Sequence, residues 1–246
     1  MHGKGGSPAK YVSSLAAALA QRGYLVANLE MPWSGRRGYD VNVAAAEAEV
    51  RAALDALRIR GAKRLFVAGH SQGALFALYF GGRHPVDGVI AIAPGGSVNS
   101  AIFREKLGES VDRARRLIAE GKGGEKTGFM DYEGSRGVYP IATSAETFLS
   151  WFDPDGAMNL PKAVKAMNPR VPVLYVVPTG DYPALLKARE EMFGYLPANP
   201  LTKLHEPDSG HLDAPYAARD EVMRWTAEVA SKTGPAVQDV PADVRP

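Results

Sequence analysis

The sequence predicts an α/β protein: a mostly parallel β-sheet with helices on both faces. Three observations predict it. Short apolar runs alternate with helix-periodic stretches along most of the chain. Those runs are apolar nearly throughout, as strands buried on both faces are. Turns bearing Gly or Pro separate the two kinds of segment, the order expected of strand–helix–strand units.

Val12, Leu15, Ala16 and Leu19 recur at helical spacing, which predicts a helix over 8–22 with Pro8 near its start. Residues 24–29, Tyr-Leu-Val-Ala-Asn-Leu, read as a strand. Val43, Val50, Leu54 and Leu57 mark a helix over 41–59. A strand at 64–69, a helix at 72–82 and a strand at 88–93 follow, the last ending at Pro94-Gly95-Gly96. Residues 97–170 are less regular, with helical patches at 99–120 and 144–152 and a Gly-rich stretch between them. They are expected to form a cap-like insertion over one end of the sheet. Alternation resumes with a strand at 171–177, a helix at 183–194, a strand at 202–206 and a helix at 215–231. Residues 1–233 are read as a single domain and 234–246, rich in Pro, Val and Asp, as a loose tail.

Composition narrows the function. The 246 residues carry 29 basic and 27 acidic side chains, a net charge of +2, with no basic cluster. That balance gives no footprint for nucleic acid or an anionic membrane. No apolar run approaches a membrane span. There is no cysteine, which rules out disulfides and Cys-ligated metal sites. No secretory signal is visible, so a soluble, cytoplasmic protein is the default expectation; a leader upstream of Met1 would lie outside the sequence.

Gly69-His70-Ser71-Gln72-Gly73 has the form G-x-S-x-G, and it falls where an apolar strand gives way to a helix. There the chain must turn sharply, and small residues two before and two after the serine relieve the crowding. The Ser71 hydroxyl is then expected at the carboxyl end of the sheet, where open α/β sheets place their sites. A serine needs a base to become a nucleophile. Of the five histidines, His211 lies in the loop 207–211, Pro-Asp-Ser-Gly-His, after the last expected strand and so at the same sheet end. Surface or capping roles suit His84 and His205 better. The base needs a carboxylate to fix its tautomer. Asp181 follows the strand at 171–177 through Pro178-Thr179-Gly180. Asp153 and Asp155 follow a helical patch instead, and Asp208 and Asp213 are too near His211 in sequence. Ser71, His211 and Asp181 are therefore expected in line, within hydrogen-bond reach or slightly looser.

The segments HGKGGSP at residues 2–8, GHSQG at 69–73, PTGD at 178–181 and SGH at 209–211 resemble the signature segments of α/β-hydrolase carboxylesterases, and the order Ser, Asp, His is that family's order. The resemblance covers the chain from Met1 to about Lys232. It implies Ser71 as nucleophile, His211 as base and Asp181 as its orienting acid. It also implies an oxyanion hole made by the backbone N–H groups of Lys4 and Gln72. The family carries an apolar strand directly before the His-Gly turn and further edge strands upstream. Only Met1 precedes His2 here, so the sheet is expected to lack its N-terminal strands. The loop at 3–6 is expected to hang from the helix at 8–22 alone.

Other signals fail. Gly3-Lys4-Gly5-Gly6 lacks the third glycine and the preceding strand of a dinucleotide fingerprint, and no H-E-x-x-H occurs. Tyr11, Trp33, His70, Trp151, Phe152 and Tyr182 flank the expected site in sequence; they are candidates for an apolar substrate pocket, with core packing an equal alternative for the aromatics. The expected activity is hydrolysis of a small-molecule carboxylic ester through an acyl-enzyme, without metal or organic cofactor. A lipase, thioesterase or acyltransferase on the same triad, or a non-catalytic binding relative, are the alternatives.

Overall fold

The computed structural model describes residues 1–234. The expected loose tail falls, apart from Gly234, outside the described residues. Strands β1 (Phe66–His70), β2 (Gly88–Ile92), β5 (Val173–Val176) and β6 (Lys203–His205) form a four-stranded sheet in the order β1-β2-β5-β6. Every pairing in it is parallel. A two-stranded antiparallel hairpin, β3 (Lys126–Glu133) with β4 (Gly137–Ser144), stands apart. The helices are α1 (Ser13–Gln21), α2 (Val43–Ile59), α3 (Gln72–Gly81), α4 (Ala101–Ala119), α5 (Ala145–Phe152), α6 (Leu160–Lys165), α7 (Pro183–Gly194), α8 (Ala214–Ala217) and α9 (Arg219–Lys232).

The side-chain period of two sorts each central strand between two apolar clusters. Val89 and Ala91 of β2, with Val173 and Tyr175 of β5, face the larger cluster, which holds residues of α2, α3, α4, α5 and α6. Ile90 and Ile92, with Leu174 and Val176, face a smaller cluster closed by Leu15 of α1 and by Val222, Trp225 and Val229 of α9. Helix α3 is buried all round except at Tyr79, as a helix wedged between a sheet and other helices must be.

Five expectations change. Residues 24–29 form no strand. They run opposite the outer edge of β1 across an apolar groove of about 520 Å³ lined by Leu15, Leu25, Leu29, Leu54, Val67 and others, so they find no neighbour for a ladder. Helix α1 begins only at Ser13, because Tyr11 adopts a left-handed φ of 60° that an α-helix cannot contain. The Gly-rich stretch holds the β3–β4 hairpin. The last helix is split in two at Ala218, and the short α6 was not expected.

Candidate active site

Parallel strands end on one side of the sheet, and three loops meet there. Ser71 follows β1 at φ 54°, ψ −120° and begins α3. The turn is sterically exacting. A Cβ on Gly69 would lie 2.0 Å from the Gly73 carbonyl oxygen, and one on Gly73 would lie 2.6 Å from the carbonyl oxygen of His2. Only glycine fits at both flanks of the serine. The loops after β5 and β6 extend the sheet pairing beyond the strands themselves. Val177 N donates to His205 O (2.9 Å), Thr179 N to Pro207 O (3.0 Å) and Gly180 N to Ser209 O (3.0 Å). This continuation brings Asp181 and His211 side by side.

His211 Nδ1 lies 2.6 Å from Asp181 Oδ1, with both residues buried. A carboxylate only accepts, so Nδ1 carries the proton and Nε2 is left as a lone-pair acceptor. The same carboxylate oxygen accepts the Tyr182 N–H at 2.7 Å. Asp153 and Asp155 lie elsewhere: Asp153 sits near Arg115, and Asp155 is held by its own loop. Among the described residues no hydrogen bond reaches the Ser71 hydroxyl. The expected line is therefore bonded only at its His–Asp end. Catalytic hydrogen bonds often tighten only with substrate bound.

The loop at 2–6 is not held by the first helix alone, which corrects that expectation. Met1 pairs with β1: its amino group donates to Ala68 O (2.7 Å) and its carbonyl accepts from His70 N (3.0 Å). His2 is fully buried. Its Nδ1 donates to Gly3 O at 2.8 Å, and its Nε2 accepts from Met31 N at 3.0 Å. Trp33 Nε1 donates to His2 O at 2.9 Å. Lys4 Nζ ends 2.6 Å from Asp131 Oδ1 on the hairpin. Tertiary contacts thus supply the anchorage that sequence reasoning sought in an upstream strand. Among the described residues neither the Lys4 nor the Gln72 backbone N–H donates to a protein acceptor. A Cβ placed on Gly3 would stand 2.9 Å from Ser71 Cβ, so this loop and the start of α3 both border the serine.

The expected pocket residues divide. Tyr182, half exposed, lies with its ring 4.5 Å from that of His211, and Tyr11 stands 6.3 Å from the ring of His70. Both border the site. Trp33, Trp151 and Phe152 are buried in the larger core cluster; edge-to-face packing at 5.6 Å occupies the two tryptophans, and Phe152 reaches a small groove beside Phe103 and Leu107 of α4. His70 is also buried, beneath His211. Its Nε2 donates to His211 O at 2.9 Å, and burial, reinforced by the neighbouring His211, pushes its pKa down to about 4. A neutral His70 thus holds the His211 backbone and is a support rather than a pocket wall. Sequence reasoning missed Asp131. An acidic residue two after Phe129, in a stretch read only as Gly-rich, carried no signal of burial.

Among the described residues no three His, Asp or Glu side chains converge as metal ligands would, and no helix is long and apolar enough to cross a membrane. The sequence matches a family model described as the alpha/beta hydrolase family over residues 1–225. No curated protein matches it. Among solved structures, the monoacylglycerol lipase of Paleococcus ferrophilus superposes with a TM-score of 0.60 at 20% identity, over 93% of this chain and 93% of that one. Est1E from Butyrivibrio proteoclasticus, with ferulic acid bound, gives 0.57 at 15% identity, over 94% of this chain and 88% of that one. A structure from a study of carboxylesterases of Nitrososphaera gargenis gives 0.54 at 17% identity, over 95% and 90%. At such identities the likeness is one of fold. The family match over nearly the whole chain goes further, and the chain belongs to the alpha/beta hydrolase family.

Proposed function

We propose that this protein hydrolyses carboxylic esters through an acyl-enzyme on Ser71. The observation that carries the reading is the 2.6 Å bond from His211 Nδ1 to Asp181 Oδ1. It leaves Nε2 of a buried, fixed imidazole free to accept a proton at the sheet end where Ser71 projects. In the first half-reaction Ser71 Oγ attacks the ester carbonyl while His211 Nε2 takes the hydroxyl proton. The imidazolium, stabilised by Asp181, returns that proton to the leaving alcohol oxygen. Water then enters, His211 takes its proton, and the carboxylic acid leaves as Ser71 is regenerated. The backbone N–H groups of Lys4 and Gln72 receive the negative oxygen of each tetrahedral intermediate; the second of them opens a helix, whose N-terminal dipole favours an anion. The substrate is a small-molecule ester, in keeping with the lipase and carboxylesterase names among the proteins that share the fold.

The test uses nitrophenyl esters of increasing acyl length together with a serine-directed phosphonate. Wild-type protein should turn over at least one ester and carry the phosphonate on Ser71. Ser71→Ala should remove turnover, by a factor approaching about 10⁶, and Asp181→Asn should cost up to about 10⁴ by favouring the wrong imidazole tautomer. A folded Ser71→Ala protein with unchanged turnover would refute the assignment. Wild-type protein that neither hydrolyses nor takes the label would favour a binding role.

A further inference from the structure

The residue pair assigned to the oxyanion hole shares a feature that the reaction itself does not require. Both side chains run away from Ser71 and into one buried network. Lys4 reaches the hairpin, where its Nζ donates to Asp131 Oδ1 (2.6 Å) and to Tyr132 O (3.1 Å). The ammonium also lies over the rings of Phe103 and Phe152, 5.3 and 5.4 Å from their centroids. The Lys4 side chain is 7% exposed and that of Asp131 is 0% exposed. The other carboxylate oxygen of Asp131 accepts from Tyr39 OH (3.1 Å) and Tyr139 OH (2.7 Å). Tyr39 OH in turn accepts from Gln72 Nε2 at 3.4 Å.

We propose that Asp131 is a positioning residue for the oxyanion hole. It holds Lys4 directly and Gln72 through Tyr39, so that one carboxylate on the hairpin sets the spacing of the two backbone donors. The inference rests on the reading of Lys4 and Gln72 as those donors. A buried ion pair is poorly suited to the simpler task of stabilising the fold, because desolvation offsets most of its attraction. What it does supply is direction. Among the described residues the ammonium pairs with one carboxylate, that of Asp131, two aromatic faces flank it, and Asp131 is fixed in turn by two phenols and by the Tyr132 N–H at 2.6 Å. Burial and the Asp131 charge push the phenols of Tyr39 and Tyr139 upward, which keeps both as donors. The hairpin becomes part of the active-site frame through this carboxylate.

The experiment compares Asp131→Asn, Lys4→Met and their double variant with wild type, reading kcat and KM separately, with melting temperature alongside. Lys4→Met keeps the backbone N–H and removes only the tether. Donors that act on the transition state alone should show in kcat, with a loss between about 10-fold and the 10²–10³-fold of a missing donor, and with little change in KM. Asp131→Asn, which loosens Gln72 as well, should lose at least the factor that Lys4→Met loses, and the double variant no more than Asp131→Asn, since the Lys4 tether ends on that carboxylate. Lys4→Arg, which keeps the charge, should recover much of the loss. If Asp131→Asn does not fold, Lys4→Met and Tyr39→Phe test the same link from its other ends. A folded Lys4→Met protein with wild-type kcat would overturn the proposal. So would a rise in KM alone, which would place the network on the substrate instead. Wild-type protein without ester turnover or Ser71 labelling overturns the parent reading and this one together, whereas labelled, active wild type with an indifferent Lys4→Met overturns this one only.

Discussion

Ser71 sits in a backbone conformation that L-residues avoid, with φ 54°, and it has company. The other non-glycine residues with positive φ among those described are Tyr11, Tyr39 and Ala93. Tyr11 packs near His70, Tyr39 meets the Gln72 side chain, and Ala93 directly follows β2, whose last residue accepts the Ser71 N–H. Each such conformation costs on the order of 1–3 kcal/mol and persists only where its surroundings enforce it. The concentration of strain around Ser71 leads to a test independent of catalysis. Ser71→Gly should relieve the strain while losing about 0.5–1 kcal/mol to the greater freedom of unfolded glycine. The net gain should be about 1 kcal/mol, or a rise in Tm of about 2–4 °C, in a protein without esterase turnover. A lower Tm in Ser71→Gly would show that the turn is not strained in solution.

At the scale of elements, the longer helices were legible, while the start of α1, the short α6 and the hairpin were not. Helices α2, α4, α5 and α6 are each capped by an Asn or Ser that accepts a backbone N–H three residues on. Asn42 accepts from Ala45 N at 2.9 Å. Asn42→Ala should therefore cost about 1 kcal/mol, seen as a fall in Tm of about 2–4 °C, with kcat unchanged. An unaltered Tm would mean that water caps α2 equally well. The hairpin escaped notice for a physical reason. Its inward residues on β3 include Phe129 and the fully buried Asp131, while Lys126, Gly128 and Met130 face out. A carboxylate on the buried face breaks the apolar–polar alternation by which strands are read. Residues 24–29 fail in the opposite direction. Their apolar composition suits a strand, but a strand exists only where a neighbour accepts its ladder bonds.

Across the whole molecule, two buried histidines link folding to pH. Burial lowers the pKa of His2 and, together with the nearby His211, brings that of His70 to about 4. In an unfolded chain each would titrate near about 6.5. Between those values the unfolded chain binds protons that the folded chain refuses. Stability should therefore decline as pH falls from about 6.5 and level off with respect to His70 below about 4. Denaturant melts between neutral and acid pH measure the slope. His70→Asn should flatten it, and an unchanged slope in that variant would show that other groups govern the acid response.

The sequence by itself determined the layered architecture, because the alternation of doubly buried strands with helices admits few other packings. It determined as well that Ser71 stands between a strand and a helix. It also showed that Asp181 and His211 follow strands of the same sheet, since parallel strands all finish on one side. These are consequences of local pattern and chain order. Only the tertiary structure decided what holds the 2–6 loop, how the 97–170 region folds and which aromatics are core. The contacts responsible, Lys4 with Asp131, His2 with Met31 and Trp33 with His2, join residues far apart in the chain or hidden in unpatterned loops. Their energy comes from burial and from matched donors and acceptors. Neither exists until the elements have packed, and so neither leaves a period or a spacing in the sequence to read.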